Sequence, residues 1–158
     1  MTARGETVPG ALYLDANVLI RLMEQTRPEA AAIMPLWERI DAGRLAAVTS
    51  WLSYAEVLVQ PLRAGEDGMV IGYDDLFAGR VLPLTVSAVT PDILRAAATL
   101  RARLPALKLT DAIHLATAQA AGCRAILSGD RKLGLAGTIR LVDPDAAGDL
   151  DRFLRALP

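Results

Sequence analysis

Five short apolar runs recur along the chain: ALYL (11–14), LAAVTS (45–50), VLPLTV (81–86), RAILS (124–128) and IRLV (139–142). Runs of four to six residues are too short to be helices and suit buried strands. Most are separated by longer segments whose apolar residues repeat at helical spacing. Strands joined through helices cannot close as tight hairpins; the crossover returns each strand parallel to the last. The pattern therefore predicts an α/β fold of three layers, with a largely parallel five-stranded sheet flanked by helices. Pro83 removes a ladder donor from the third run and predicts that it lies at the sheet edge.

The helical segments carry start and stop signals. Val18, Leu19, Leu22 and Met23 form one face of a helix over 16–25, behind Asp15. Pro28 suits the first turn of a second helix, through Ile33, Leu36, Trp37 and Ile40 to a stop at Gly43. Thr49 or Ser50 can cap a third, whose apolar positions continue past a kink at Pro61. A weaker helix spans 67–79. Pro91 opens another that ends near Pro105, Thr110 caps one that stops at Gly122, and a last runs from about 145 to 157. Residues 1–10 read as a mobile tail and 11–158 as a single domain, a length at which one core suffices.

Composition narrows the chemistry. Cys123 is the only cysteine and His114 the only histidine, so an internal disulfide and a zinc site of soft ligands are both excluded. Any metal must be held by oxygen. The net charge of -1 gives no general attraction for nucleic acid, so a phosphate-binding protein of this kind needs a local basic patch or a metal ion beside its carboxylates. No apolar run approaches the roughly 20 residues that cross a bilayer, and the first residues lack the apolar stretch of a signal peptide. A cytoplasmic protein is expected.

In open α/β sheets, ligands sit outside the carboxyl ends of the strands. Asp15 directly follows one strand run, Asp130 lies one residue past another, Asp111 begins the helix that leads to the fourth strand, and Glu56 follows the second run by less than two helical turns. Four carboxylates converging there would repel one another and suit a hard divalent cation. Each also has an ordinary role open to it. Asp15 can cap the following helix, Glu56 can close a capping box with Ser53, Asp111 can answer a helix dipole, and Asp130 can be a turn residue. Asn17 and Ser128 are candidate supporting residues. His114, three residues after Asp111 on one helical face, is a possible proton carrier or carboxylate partner, or a hydrogen-bonded structural histidine. Cys123 reads as a small core residue, and Asp74, Asp75, Asp149 and Asp151 as solvated acids.

The segments around these acids, YLDANVLI, SWLSYAEVLVQP, LKLTDAIHLATAQAAGC and ILSGDRKL, resemble the PIN-domain family in order and spacing. The third, from Thr110 to Cys123, is very like its counterpart in bacterial VapC-like toxins. The resemblance covers most of residues 11–142. It implies a five-stranded parallel sheet, a Mg²⁺ or Mn²⁺ site on Asp15, Glu56, Asp111 and Asp130, and endoribonuclease activity. It also implies a cognate antitoxin protein and a homodimer. One departure is Gly129, where the family often has Asn before the fourth acid. Other readings remain open: a catalytically weak PIN scaffold binding RNA or protein, or a PIN-type nuclease acting on DNA. With aromatic residues at only 4%, the sequence shows no base-stacking platform that would decide between RNA and DNA. An aspartyl phosphatase is disfavoured because position 17 is Asn rather than a second Asp.

Overall fold

The computed structural model describes residues 10–24 and 28–157. Residues 1–9 of the expected tail at 1–10, and the expected last residue of the first helix, 25, lie outside the described residues. The elements are β1 (Leu12–Leu14), α1 (Ala16–Met23), α2 (Pro28–Asp41), β2 (Ala47–Ser50), α3 (Trp51–Ala64), α4 (Asp67–Phe77), β3 (Leu84–Ser87), α5 (Pro91–Arg103), α6 (Leu109–Ala120), β4 (Ala125–Leu127), β5 (Arg140–Val142) and α7 (Asp149–Arg155).

The five strands form one sheet in the order β3-β2-β1-β4-β5, and every pairing is parallel. The Pro83 run is therefore an edge strand, as expected. β1 is fully enclosed, with every residue buried, which is why ALYL is an unbroken apolar run and not an alternating one. Leu12 and Leu14 point into a core with Leu19, Leu22, Ile33, Leu36, Val57, Leu76 and Phe153. Tyr13, one residue out of phase, points into a second core with Ile93, Ala97, Ala112, Ala116 and Ile126. The chain thus builds three layers, α1–α4 and α7 on one face and α5 and α6 on the other.

The strand order positions the site. From β1 the chain moves outward to β2 and β3, then crosses back to place β4 on the other side of β1. The reversal leaves a crevice between the carboxyl ends of β1 and β4, where connecting segments depart in opposite directions. Leu14 is level with Leu127, so the residues just past these two strands face each other.

Several local expectations are corrected. Thr110 does not cap α6; the helix starts at Leu109, two residues earlier than that cap implies, and Lys108 holds the cap position without a side-chain bond. Ser50, not Thr49, caps α3, and the helix continues through Pro61 to Ala64. Thr49 instead donates its hydroxyl to the Leu14 carbonyl, 2.9 Å away and buried. A 3-10 turn at Arg131–Ala136, absent from the sequence reading, follows Asp130. The last helix is shorter than expected, because Asp149 accepts from the Asp143 backbone N–H at 2.9 Å and anchors the preceding turn. Asp149 is thus partnered rather than simply solvated.

Leu12 is fully buried in the central strand, so Leu12→Ala is expected to cost about 2–5 kcal/mol of unfolding free energy. Urea denaturation checks this, and a loss below about 1 kcal/mol contradicts the placement of β1 at the centre of the core.

Candidate functional site

Asp15 leaves β1 and starts α1, and its two carboxylate oxygens have separate tasks. Oδ1 accepts from the Val18 backbone N–H at 3.0 Å, the N-cap bond of α1. Oδ2 accepts a short hydrogen bond from Ser128 Oγ, across the crevice at the end of β4. The capping role expected from sequence is therefore real, and it holds the carboxylate at the site instead of excluding it. Only 5% of Asp15 is exposed. Burial pushes its carboxyl above the ordinary range, against the downward pull of the bonds from Ser128 and Val18.

Ser128 also accepts from the Asp130 backbone N–H at 3.0 Å, so one hydroxyl bridges the first and fourth acids. Asp130 caps the 3-10 turn through Oδ1, which accepts from the Lys132 N–H at 3.0 Å. The turn-residue reading is thus correct for one of its two oxygens. Asp111 lies in the first turn of α6. Its carboxyl is held above the ordinary range by burial and by repulsion from Asp130. Its Oδ2 is buried with no hydrogen-bond partner, an arrangement that is costly for a carboxylate unless a cation or donor relieves it.

Glu56 is not the partner of a capping box. Ser53 lies inside α3 rather than at its cap, and its hydroxyl is itself buried without a partner. Glu56 Oε2 instead lies 2.8 Å from His114 Nε2. His114 Nδ1 is 2.8 Å from Tyr13 Oη, and Tyr13 donates to Ser50 Oγ at 2.9 Å. His114 is thus the carboxylate partner. Tyr13 was not singled out from sequence and Ser50 only as a helix cap, although a tyrosine in an otherwise aliphatic buried strand needs a partner for its hydroxyl. Cys123 packs against the second core, and burial pushes its thiol up to about 12, which fits an inert core residue.

Gly129 has a steric reason. A Cβ there would stand 2.9 Å from Asp145 Oδ2 and 3.4 Å from Arg21 Nη2. Those two side chains form a bidentate pair, Nη1 to Oδ1 at 2.7 Å and Nη2 to Oδ2 at 2.9 Å. The pair runs over the backbone just before Asp130 and fills the space that an Asn side chain would need.

Asp15, Asn17, Glu56, Asp111, His114 and Asp130 line one pocket of about 150 Å³, together with Ile20 and Leu133. The structure therefore brings all four predicted acids to one crevice. Asn17 is exposed there, while Ser128 works from beneath. Among the described residues, however, no three His, Cys, Asp or Glu side chains stand close enough to form a ready-made ligand cluster. Glu56 turns one oxygen toward His114. The donor set, all carboxylate oxygens, together with the orphaned Asp111 Oδ2, suits a hard divalent ion.

The family model described as PIN domain matches residues 12–137, a span that contains all four acids. The chain belongs to the PIN domain family. No curated protein matches it. Among solved structures, a toxin-antitoxin complex from Klebsiella pneumoniae is 26% identical with a TM-score of 0.61, covering 85% of this chain and 98% of that one. Mycobacterium tuberculosis VapC20, a Sarcin-Ricin loop cleaving toxin, is 16% identical with a TM-score of 0.66, over 80% of this chain and 95% of that one. Rickettsia felis VapBC2, bound to a DNA fragment from its promoter, is 14% identical with a TM-score of 0.65, over 84% and 98%. These likenesses extend the PIN fold over most of the chain.

Two outcomes follow from this geometry. The folded pKa of Asp111 lies above its unfolded value, so stability falls as the pH rises from the unfolded value through the folded one, and the full cost is carried above it. Asp111→Asn should raise the melting temperature at pH 7 in EDTA by on the order of a few degrees. The gain should vanish below about pH 3.9, where the unfolded carboxyl is also protonated. Gly129→Ala should cost at most about 1 kcal/mol, the worth of the exposed Arg21–Asp145 pair that it disturbs. In an Asp145→Ala background that cost should disappear, as a double-mutant cycle would show.

Proposed function

We propose that this PIN domain is a metal-dependent endoribonuclease, the toxin of a toxin-antitoxin pair, which hydrolyses RNA phosphodiester bonds with Mg²⁺ or Mn²⁺. The observation that carries the reading is the convergence of Asp15, Glu56, Asp111 and Asp130 on one pocket at the β1/β4 crevice. Support for RNA comes from the likeness to VapC20, a Sarcin-Ricin loop cleaving toxin. Support for an antitoxin protein as partner comes from the toxin-antitoxin complex of K. pneumoniae. A homodimer and a cytoplasmic location complete the proposal. No helix among the described residues is long and apolar enough to cross a membrane.

Four acids in a pocket repel a phosphodiester unless their charge is offset. Asp15, Glu56, Asp111 and Asp130 would hold the divalent ion that offsets it. Once bound, such an ion supplies Lewis acidity toward the phosphate and acidifies water near neutral pH. The residues prepare this in different ways. Ser128 and the Val18 N–H fix the Asp15 carboxylate in one orientation. Asp111 offers a buried oxygen with no competing donor. Asp130 keeps one oxygen for the Lys132 N–H and leaves the other for the site. Exposed Lys108 and Lys132, near Asp111 and Asp130 in sequence, supply positive charge at the rim for the flanking phosphates.

Purified protein should cleave a total-RNA mixture with Mg²⁺ or Mn²⁺ and not with EDTA. Asp15→Asn and Asp111→Asn should each reduce the rate at least about 100-fold, in the range reported for loss of electrostatic stabilisation at a reacting group, with the fold intact by circular dichroism. Cleavage that persists in both variants contradicts the site assignment. A folded wild-type protein without activity on RNA, DNA or an antitoxin-free extract favours a binding scaffold.

A further inference from the structure

We propose that His114 is a positioning residue for Glu56: its imidazole, clamped between Glu56 and Tyr13, sets which carboxylate oxygen of Glu56 is presented to the metal pocket. The proposal rests on the reading of Glu56 as a metal ligand.

A glutamate on a helix has three side-chain torsions and loses rotamer entropy when it is fixed. Glu56 is one-third exposed (34%) and would sweep through the pocket if unrestrained, whereas the His114 side chain is only 5% exposed. His114 holds Glu56 Oε2 at 2.8 Å through Nε2. An ionised carboxylate only accepts, so Nε2 carries the hydrogen and donates. The other ring nitrogen is secured at 2.8 Å by Tyr13 Oη, which is fully buried in β1. Tyr13 in turn bonds Ser50, whose hydroxyl caps α3 by accepting from the Ser53 N–H.

The chain of contacts therefore begins at β1, passes through α6 and ends on Glu56. A separate arm runs from Tyr13 to the cap of the helix that carries Glu56. Three elements fix one flexible carboxylate. With Oε2 committed to His114, Oε1 is the oxygen left for an ion. This is the arrangement by which an outer hydrogen bond orients a ligand, and breaking such bonds typically weakens metal affinity about 10–100-fold.

The test is Mn²⁺ binding by titration calorimetry on tag-free wild type, His114→Asn, His114→Gln and Asp15→Asn. A glutamine amide nitrogen reaches about as far as Nε2 and can still donate to Glu56; an asparagine amide reaches only as far as Nδ1. His114→Asn is expected to weaken Mn²⁺ binding about 10-fold or more, and His114→Gln to recover most of the affinity. Unchanged affinity in folded His114→Asn overturns the proposal. An equal loss in both variants also overturns it, because the effect then traces to packing and not to the donor. Wild-type binding that Asp15→Asn leaves untouched overturns the site reading itself, and the proposal with it. Should the variants fail to fold, the wild type decides. His114 is the only histidine, so its ring Nε2–H resonance is unambiguous in a nitrogen-15 spectrum. It should shift on Mg²⁺ addition, and an unmoved resonance at saturating Mg²⁺ overturns the proposal.

Discussion

The bond between Ser128 and Asp15 is the contact on which the site depends. It spans the two central strands at the point where the sheet order reverses, and it is possible only because Leu14 and Leu127 are in register. The same hydroxyl receives the Asp130 N–H, so a slip of one residue between β1 and β4 would separate two of the four acids at once. The enclosed apolar faces of both strands forbid that slip. Core packing therefore does more than stabilise the domain, since it sets the spacing of the carboxylates.

Against this frame stands a local cost. Asp15 and Asp111 are both held above the ordinary carboxylate range by burial, and Asp111 feels Asp130 as well. One oxygen of Asp111 has no donor. Groups whose ionised forms oppose folding collect where a protein prepares charge for a ligand rather than for itself. Of the compensating bonds, those from Lys132 and His114 each take one oxygen of a carboxylate and leave the other, while Val18 and Ser128 engage one oxygen each of Asp15. This division explains how Asp130 can cap the 3-10 turn and still serve the pocket.

Much of the fold was legible because its strands are short, apolar and separated by helices with clear punctuation, and the enclosed β1 run left little ambiguity. The four acids that line the pocket were also singled out from sequence, since Asp15 directly follows one strand run, Asp130 lies one residue past another, and the family motifs carry Glu56 and Asp111. The helix caps were less legible. Ser53 and Glu56 have capping-box spacing, yet Ser50 starts the helix three residues earlier, and local spacing cannot choose between two serines when a strand end decides. The His114–Tyr13–Ser50 chain was hidden because its members lie on three elements, 37 and 101 residues from one another along the chain. Gly129 read as a departure from the family pattern, while its cause, the Arg21–Asp145 pair, spans 124 residues.

The carboxylates at the β1/β4 crevice are proposed to hold a divalent ion. The most direct measurement is anomalous diffraction at the manganese edge from crystals grown or soaked with Mn²⁺. A peak within bonding distance of Asp15 and Asp111 oxygens, at about 2.0–2.4 Å as expected for a hard cation on carboxylates, is the predicted result. A well-ordered pocket with no peak under saturating Mn²⁺, or a peak held only by other acids, would contradict the account.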